Sequence, residues 1–91
     1  MTELELHKII VEEYREDAGI LLADGFHDAC LGVSYDTQLS SYRAVYSIGK
    51  AIEILVNDGM TEEEAEEYLG YNTLQAYVGP NTPLWVHEIL A

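Results

Sequence analysis

Asp24, His27 and Asp28 stand close together and carry the side chains that catalysis and metal binding use most. Carboxylates and an imidazole can ligate a divalent cation, or exchange protons as acid and base. Asp24-Gly25 is also a turn-forming pair, and charged neighbours are ordinary beside a turn. Two readings stay open for this cluster, a small metal-dependent protein or enzyme and a structural turn. His7, on a helix flank, and His87, near the end of the chain, read as solvent-facing or structural.

Other chemistry has less support. Cys30 sits in an apolar alternating run, where burial keeps a thiol protonated and unreactive. As the single cysteine it permits neither an internal disulfide nor a site built on several thiolates. Ser34, Ser40, Ser41 and Ser47 lie in no G-x-S-x-G elbow. The seven glycines are scattered among turns and form no phosphate loop. The expectation is a non-enzymatic chain without a cofactor.

The strongest chemical feature is charge. Seventeen Asp and Glu face four Lys and Arg, a formal charge of −13 over 91 residues. Such a chain lacks the cations that neutralise phosphates, so direct binding to DNA or RNA is excluded, and anionic membranes are disfavoured. A basic protein would be attracted. Glu62, Glu63, Glu66 and Glu67 concentrate the charge in one short segment. They could form an acidic face that imitates the spaced phosphates of a nucleic acid, or simply a solvated helix start. Tyr71 and Tyr77 follow, and tyrosine is enriched among the anchors of protein interfaces. These six residues are the expected partner-binding set.

The elements that must position them follow from periodicity. Thr2 and Glu5 form a capping box, and Leu6, Ile10 and Tyr14, with Ile9 beside them, make the apolar stripe of a first helix ending near Gly19. Ile20 to Ala23 reads as a buried connection or a last helical turn. Leu31, Val33 and Tyr35 alternate with polar or small residues, as do Tyr42, Ala44 and Tyr46. The polar stretch 36–41 between them predicts a hairpin. Ser47 caps a second helix with Ile48, Ala51, Ile52, Leu55 and Val56 inward. Thr61 and Glu64 cap a third, with Ala65, Tyr68 and Leu69 inward and Gly70 as an interruption. A short helical piece over 72–77, the turn Gly79 to Pro83 and a strand from Leu84 to Leu90 complete the chain. The expected fold is one α+β domain, residues 1–91, with a small antiparallel three-stranded sheet and helices packed on one face.

Several motifs recur in an order we associate with one group of proteins. Asp24-Gly25-Phe26, Ala29 and Gly32 are followed by Asp58-Gly59-Met60-Thr61, Glu64-Ala65 and Tyr68. Asn72, Ala76 to Gly79 and Thr82-Pro83 continue the series. Over residues 24–83 the chain resembles a family of small acidic uncharacterised proteins of tailed bacteriophages and prophages. It departs from them at Gly70 and Tyr71, where relatives are more continuously helical. The resemblance implies a context rather than a reaction. Small acidic phage proteins often bind and disable a host protein, including nucleic-acid-handling complexes of bacterial defence such as CRISPR.

Taken together, these features predict an inhibitor in the host bacterial cytoplasm that docks an acidic surface on a basic host protein or nucleoprotein complex. A homo-oligomeric structural or regulatory subunit, a homodimer in its simplest form, is the remaining alternative. Apolar strand edges or Trp85 would then form its interface. The acidic N-terminus has no signal-peptide pattern, and no run approaches the ~20 apolar residues that span a bilayer.

Overall fold

The computed structural model describes residues 1–14, 19–73 and 76–89. Its order is α1 (Glu3–Tyr14), a short 3-10 turn (His27–Ala29), β1 (Cys30–Asp36), β2 (Ser41–Ser47), α2 (Ile48–Asn57), α3 (Glu62–Asn72) and β3 (Leu84–Val86). The fold class is α+β.

The helix boundaries are set by the caps that the sequence carries. In α1 the Glu5 N–H donates to the Thr2 hydroxyl, and the Thr2 N–H donates back to the Glu5 carboxylate, both at 3.1 Å. Leu6 and Ile10 are buried beneath it, whereas Ile9 is partly exposed at the edge of the stripe. Ser47 caps α2 by accepting the Lys50 N–H at 3.1 Å. That helix ends in a Schellman turn, with Gly59 N–H on the Val56 carbonyl and Met60 N–H on the Leu55 carbonyl. Gly59 takes φ +111°, a region that side chains other than glycine rarely adopt.

β1 and β2 form the expected hairpin, closed by Asp36, whose carboxylate accepts the N–H groups of Gln38 and Leu39. A register shift between Cys30 and Gly32 alters its first turn of alternation. Cys30 pairs with Tyr46 and Gly32 with Val45, so Leu31 is the extra residue of a bulge and is exposed. Cys30, rather than Leu31, shares the face of Val33 and Tyr35.

The third strand corrects the expected topology. β3 lies beside β2 but runs parallel to it, with Tyr46 opposite Trp85, so the sheet is mixed in the order β1-β2-β3. Two helices lie between β2 and β3 in the chain, a connection long enough for the second strand to enter from the same end as the first. β3 stops at Val86, short of Leu90, which lies outside the described residues. Past β3, the edge of β2 is held by the turn that precedes it. The Ser41 hydroxyl donates to the Pro80 carbonyl (3.0 Å), Arg43 Nε to the Thr82 carbonyl (2.6 Å), and the Asn81 amide to the Tyr42 carbonyl (2.9 Å).

The core joins the hairpin to the two central helices. Ala44 and Tyr46 of β2 meet Ala51 and Leu55 of α2, Ala65 and Leu69 of α3, and Phe26 and Ala29. Trp85 lies against Tyr46, centroids 4.9 Å apart and planes at 23°, and meets Phe26 edge-on at 5.6 Å. Ile20, Leu22 and Ala23 pack against this cluster as an irregular connection, without the helical turn that was the other reading. Residues 15–18, between Tyr14 and the expected helix stop near Gly19, lie outside the described residues.

Candidate functional site

Helix α3 owes its start to Thr61. Its hydroxyl accepts the Glu64 N–H at 3.1 Å, and its own N–H donates to the Glu64 carboxylate at 2.9 Å. The Thr61 N–H on its carboxylate, with the Thr61 hydroxyl beside it, holds the Glu64 carboxyl below its ordinary range, and the Thr2 hydroxyl and N–H do the same for Glu5. Ala65 and Leu69 are buried and anchor one side of the helix to the core. The helical repeat then sends Glu63 and Glu67 directly outward, with Glu62 and Glu66 on one shoulder. All four are exposed, and no ion pair or hydrogen bond engages any of them among the described residues.

The helix continues through Gly70 to Asn72, contrary to the expected interruption. A helical glycine costs about 1 kcal/mol relative to alanine, too little to stop a helix whose next turn is tied down. Here the Thr73 N–H donates to the Leu69 carbonyl at 3.0 Å, and the Asn72 amide donates to the Tyr68 carbonyl at 3.2 Å. Continuity places Tyr71 on the same helix as the glutamates, 83% exposed. The short helical piece expected over 72–77 does not form at its later end, since 76–78 is irregular and 74–75 lie outside the described residues. Tyr77 is 72% exposed on that irregular segment, separate in the chain from the acidic helix.

Tyr68 also differs from expectation. It counts as inward by its spacing from Ala65 and Leu69, yet it is 41% exposed on the shoulder of α3. With Met60, Glu64, Glu67, Tyr71 and Asn72 it lines a shallow groove of about 350 Å³. The sequence signal for this residue was its hydroxyl, which favours a position with one wet edge over a closed core.

The cluster near the first turn comes together only in part. The 3-10 turn brings His27 Nε2 to 3.6 Å from the Asp28 carboxylate, which also lies 3.7 Å from the amino terminus. His27 Nδ1 is buried without a hydrogen-bond partner. Among the described residues no three His, Cys, Asp or Glu side chains converge as a metal site would require. Asp24 is exposed at the preceding turn. Cys30 is half-buried, and burial pushes its thiol pKa up, opposite to the shift that activates a nucleophile.

No protein-family model, no curated protein and no solved structure matches this chain. The resemblance to tailed-phage proteins therefore rests on the sequence motifs alone. Among the described residues no helix is long and apolar enough to cross a membrane. Trp85, the residue expected at an interface if the chain self-associates, is engaged with Tyr46 and Phe26. The arrangement with a chemical consequence is the outer side of α3, exposed glutamates beside exposed tyrosine rings.

Proposed function

We propose that this chain is a non-enzymatic binding module that lays the acidic outer side of α3 against a basic protein. The observation that carries the reading is the exposure of Glu62, Glu63, Glu66 and Glu67 without a partner among the described residues. Folding has little use for this pattern. Capping consumes Glu64, and the helix dipole favours acids only within the first turn, so Glu66 and Glu67 gain little from it. Glu62 with Glu66 and Glu63 with Glu67 are like charges four residues apart, each pair destabilising by roughly 0.2–0.5 kcal/mol. A net charge of −13 adds repulsion across the whole molecule. A surface that costs stability is one whose retention a binding role would explain.

In this reading Tyr71 is the apolar anchor on the helix and Tyr77 a second contact outside it. Charge accelerates encounter and selects the partner, while buried aromatic area supplies most of the affinity. The partner class is a basic, nucleic-acid-handling protein of a bacterial host, in keeping with the phage resemblance, and the action is inhibition by occupying a surface that otherwise meets phosphates. The test is affinity capture from a bacterial lysate at low and at high salt, with the retained proteins identified by mass spectrometry. Retention of one basic protein or complex, lost at ~1 M salt where the screening length falls to ~3 Å, supports the reading. A retained set that is acidic or indifferent to salt counts against it.

A further inference from the structure

Glu64, Glu67, Tyr68 and Tyr71 recur along α3 at i, i+3, i+4 and i+7, the spacing that aligns side chains in one row of a helix. They line the shallow groove described above, with Met60 and Asn72 at its ends. Tyr71 is 83% and Tyr68 41% exposed, so each offers ring surface to an incoming group. The Glu67 carboxylate is free of internal bonds among the described residues, and Glu64 gives one oxygen to the cap. The row differs from the opposite shoulder, where Glu62 and Glu66 have no aromatic residue at i+3 or i+4.

A carboxylate alone attracts any cation. A carboxylate beside an exposed ring discriminates between them. Guanidinium is planar, stacks on an aromatic face and pairs with a carboxylate through two parallel N–H groups. Ammonium is compact and more strongly hydrated, so it gives up more on leaving water and gains less from the ring. We infer that the groove between Glu67 and the rings of Tyr68 and Tyr71 receives an arginine side chain of the basic partner, in preference to lysine. This rests on the protein-binding reading and sharpens it: the partner presents arginine at the contact, and the remaining glutamates act as a less selective field around it.

The experiment uses the full chain and two defined probes, a capped tri-arginine peptide and its tri-lysine counterpart, titrated at low salt with backbone amide NMR. The expected result is a Kd about 2- to 5-fold lower for the arginine peptide, the range of an exposed cation–π contact. Chemical-shift changes are expected to centre on residues 64–72. Tyr71→Leu keeps a good helix former at an exposed site and removes the ring; it is expected to weaken the arginine peptide more than the lysine peptide and so erase the preference. A Glu62→Gln/Glu63→Gln/Glu66→Gln variant is expected to weaken both peptides alike. Equal affinity for the two peptides, or a preference that survives Tyr71→Leu, overturns the arginine groove; the acidic-face reading then stands if the glutamine variant still weakens binding. Absence of binding by either peptide overturns both.

Discussion

The Tyr46 hydroxyl accepts the backbone N–H of Ala23 at 2.8 Å, tying the centre of the sheet to the connection that follows α1. Tyr46 is fully buried, and its other face lies on Trp85 of β3. One side chain thus links the hairpin, the returning strand and the incoming chain.

Burial, the leading cause, pushes the Tyr46 pKa up to about 12 from an ordinary value near 10. The folded state therefore holds the neutral phenol more firmly than the unfolded state does. Its contribution is fully present below pH ~10 and is lost as pH rises through about 12, on the order of 1–3 kcal/mol in all. Tyr46→Phe is expected to remove that part of the alkaline decline. At neutral pH it is expected to cost about 1–2 kcal/mol, because the Ala23 N–H loses its acceptor. Denaturant melts of both proteins at pH 7, 10 and 11.5 read both effects. Parallel declines with pH would count against a strongly shifted phenol.

Thr82 is the buried polar residue on which the turn before β3 is built. Its hydroxyl donates to the Gly79 carbonyl at 2.6 Å and accepts the Val78 N–H at 2.8 Å. Thr82→Val keeps the shape and strands the Val78 N–H, while the Gly79 carbonyl keeps the backbone N–H of residue 82, so a loss of about 1–2 kcal/mol is expected in chemical denaturation. A loss below ~0.5 kcal/mol would show that the turn does not depend on this hydroxyl.

The elements that were legible in the chain are those whose signals are local. Thr2 with Glu5, Thr61 with Glu64, and Ser47 mark helix starts through bonds made within a few residues, and those bonds form. The misreadings involve pairing and packing that local periodicity does not encode. A connection as long as α2 and α3 permits either direction for β3, and strand periodicity does not encode which is taken. The bulge at Leu31 is defined by pairing with β2, and the helix runs through Gly70 because Leu69 and Thr73 hold both sides of it. At the candidate site, the glutamates were readable because outward positions on a capped helix are nearly unavoidable. Tyr68 was not, since spacing alone places it with Ala65 and Leu69.

Gly70 offers a direct check on the continuous helix. A β-carbon there meets nothing within 4 Å, and its backbone is helical. Gly70→Ala is therefore expected to stabilise the protein by about 0.5–1 kcal/mol. In a domain of this size that raises Tm by roughly 2–8 °C. An unchanged or lower Tm would indicate that the helix does not persist through this position.

The acidic side of α3 makes an opposed pair of predictions about stability and binding. Glu66→Lys and Glu67→Lys each place a cation four residues after a glutamate, the favourable orientation on a helix. The double variant exchanges two repulsive pairs for two attractive ones. It is expected to melt at a higher denaturant concentration than the parent, by roughly 0.5–1.5 kcal/mol. A clear loss of stability would mean that these glutamates serve the fold.

The most direct test of the account is side-by-side capture from one bacterial lysate with the parent chain and the Glu66→Lys/Glu67→Lys variant, quantified by mass spectrometry. The account predicts a basic protein retained by the parent at low salt and depleted at least about tenfold on the equally or better folded variant, corresponding to ~1.4 kcal/mol or more of lost affinity. Equal retention of the same basic protein by both would contradict the claim that the acidic side of α3 is the binding surface.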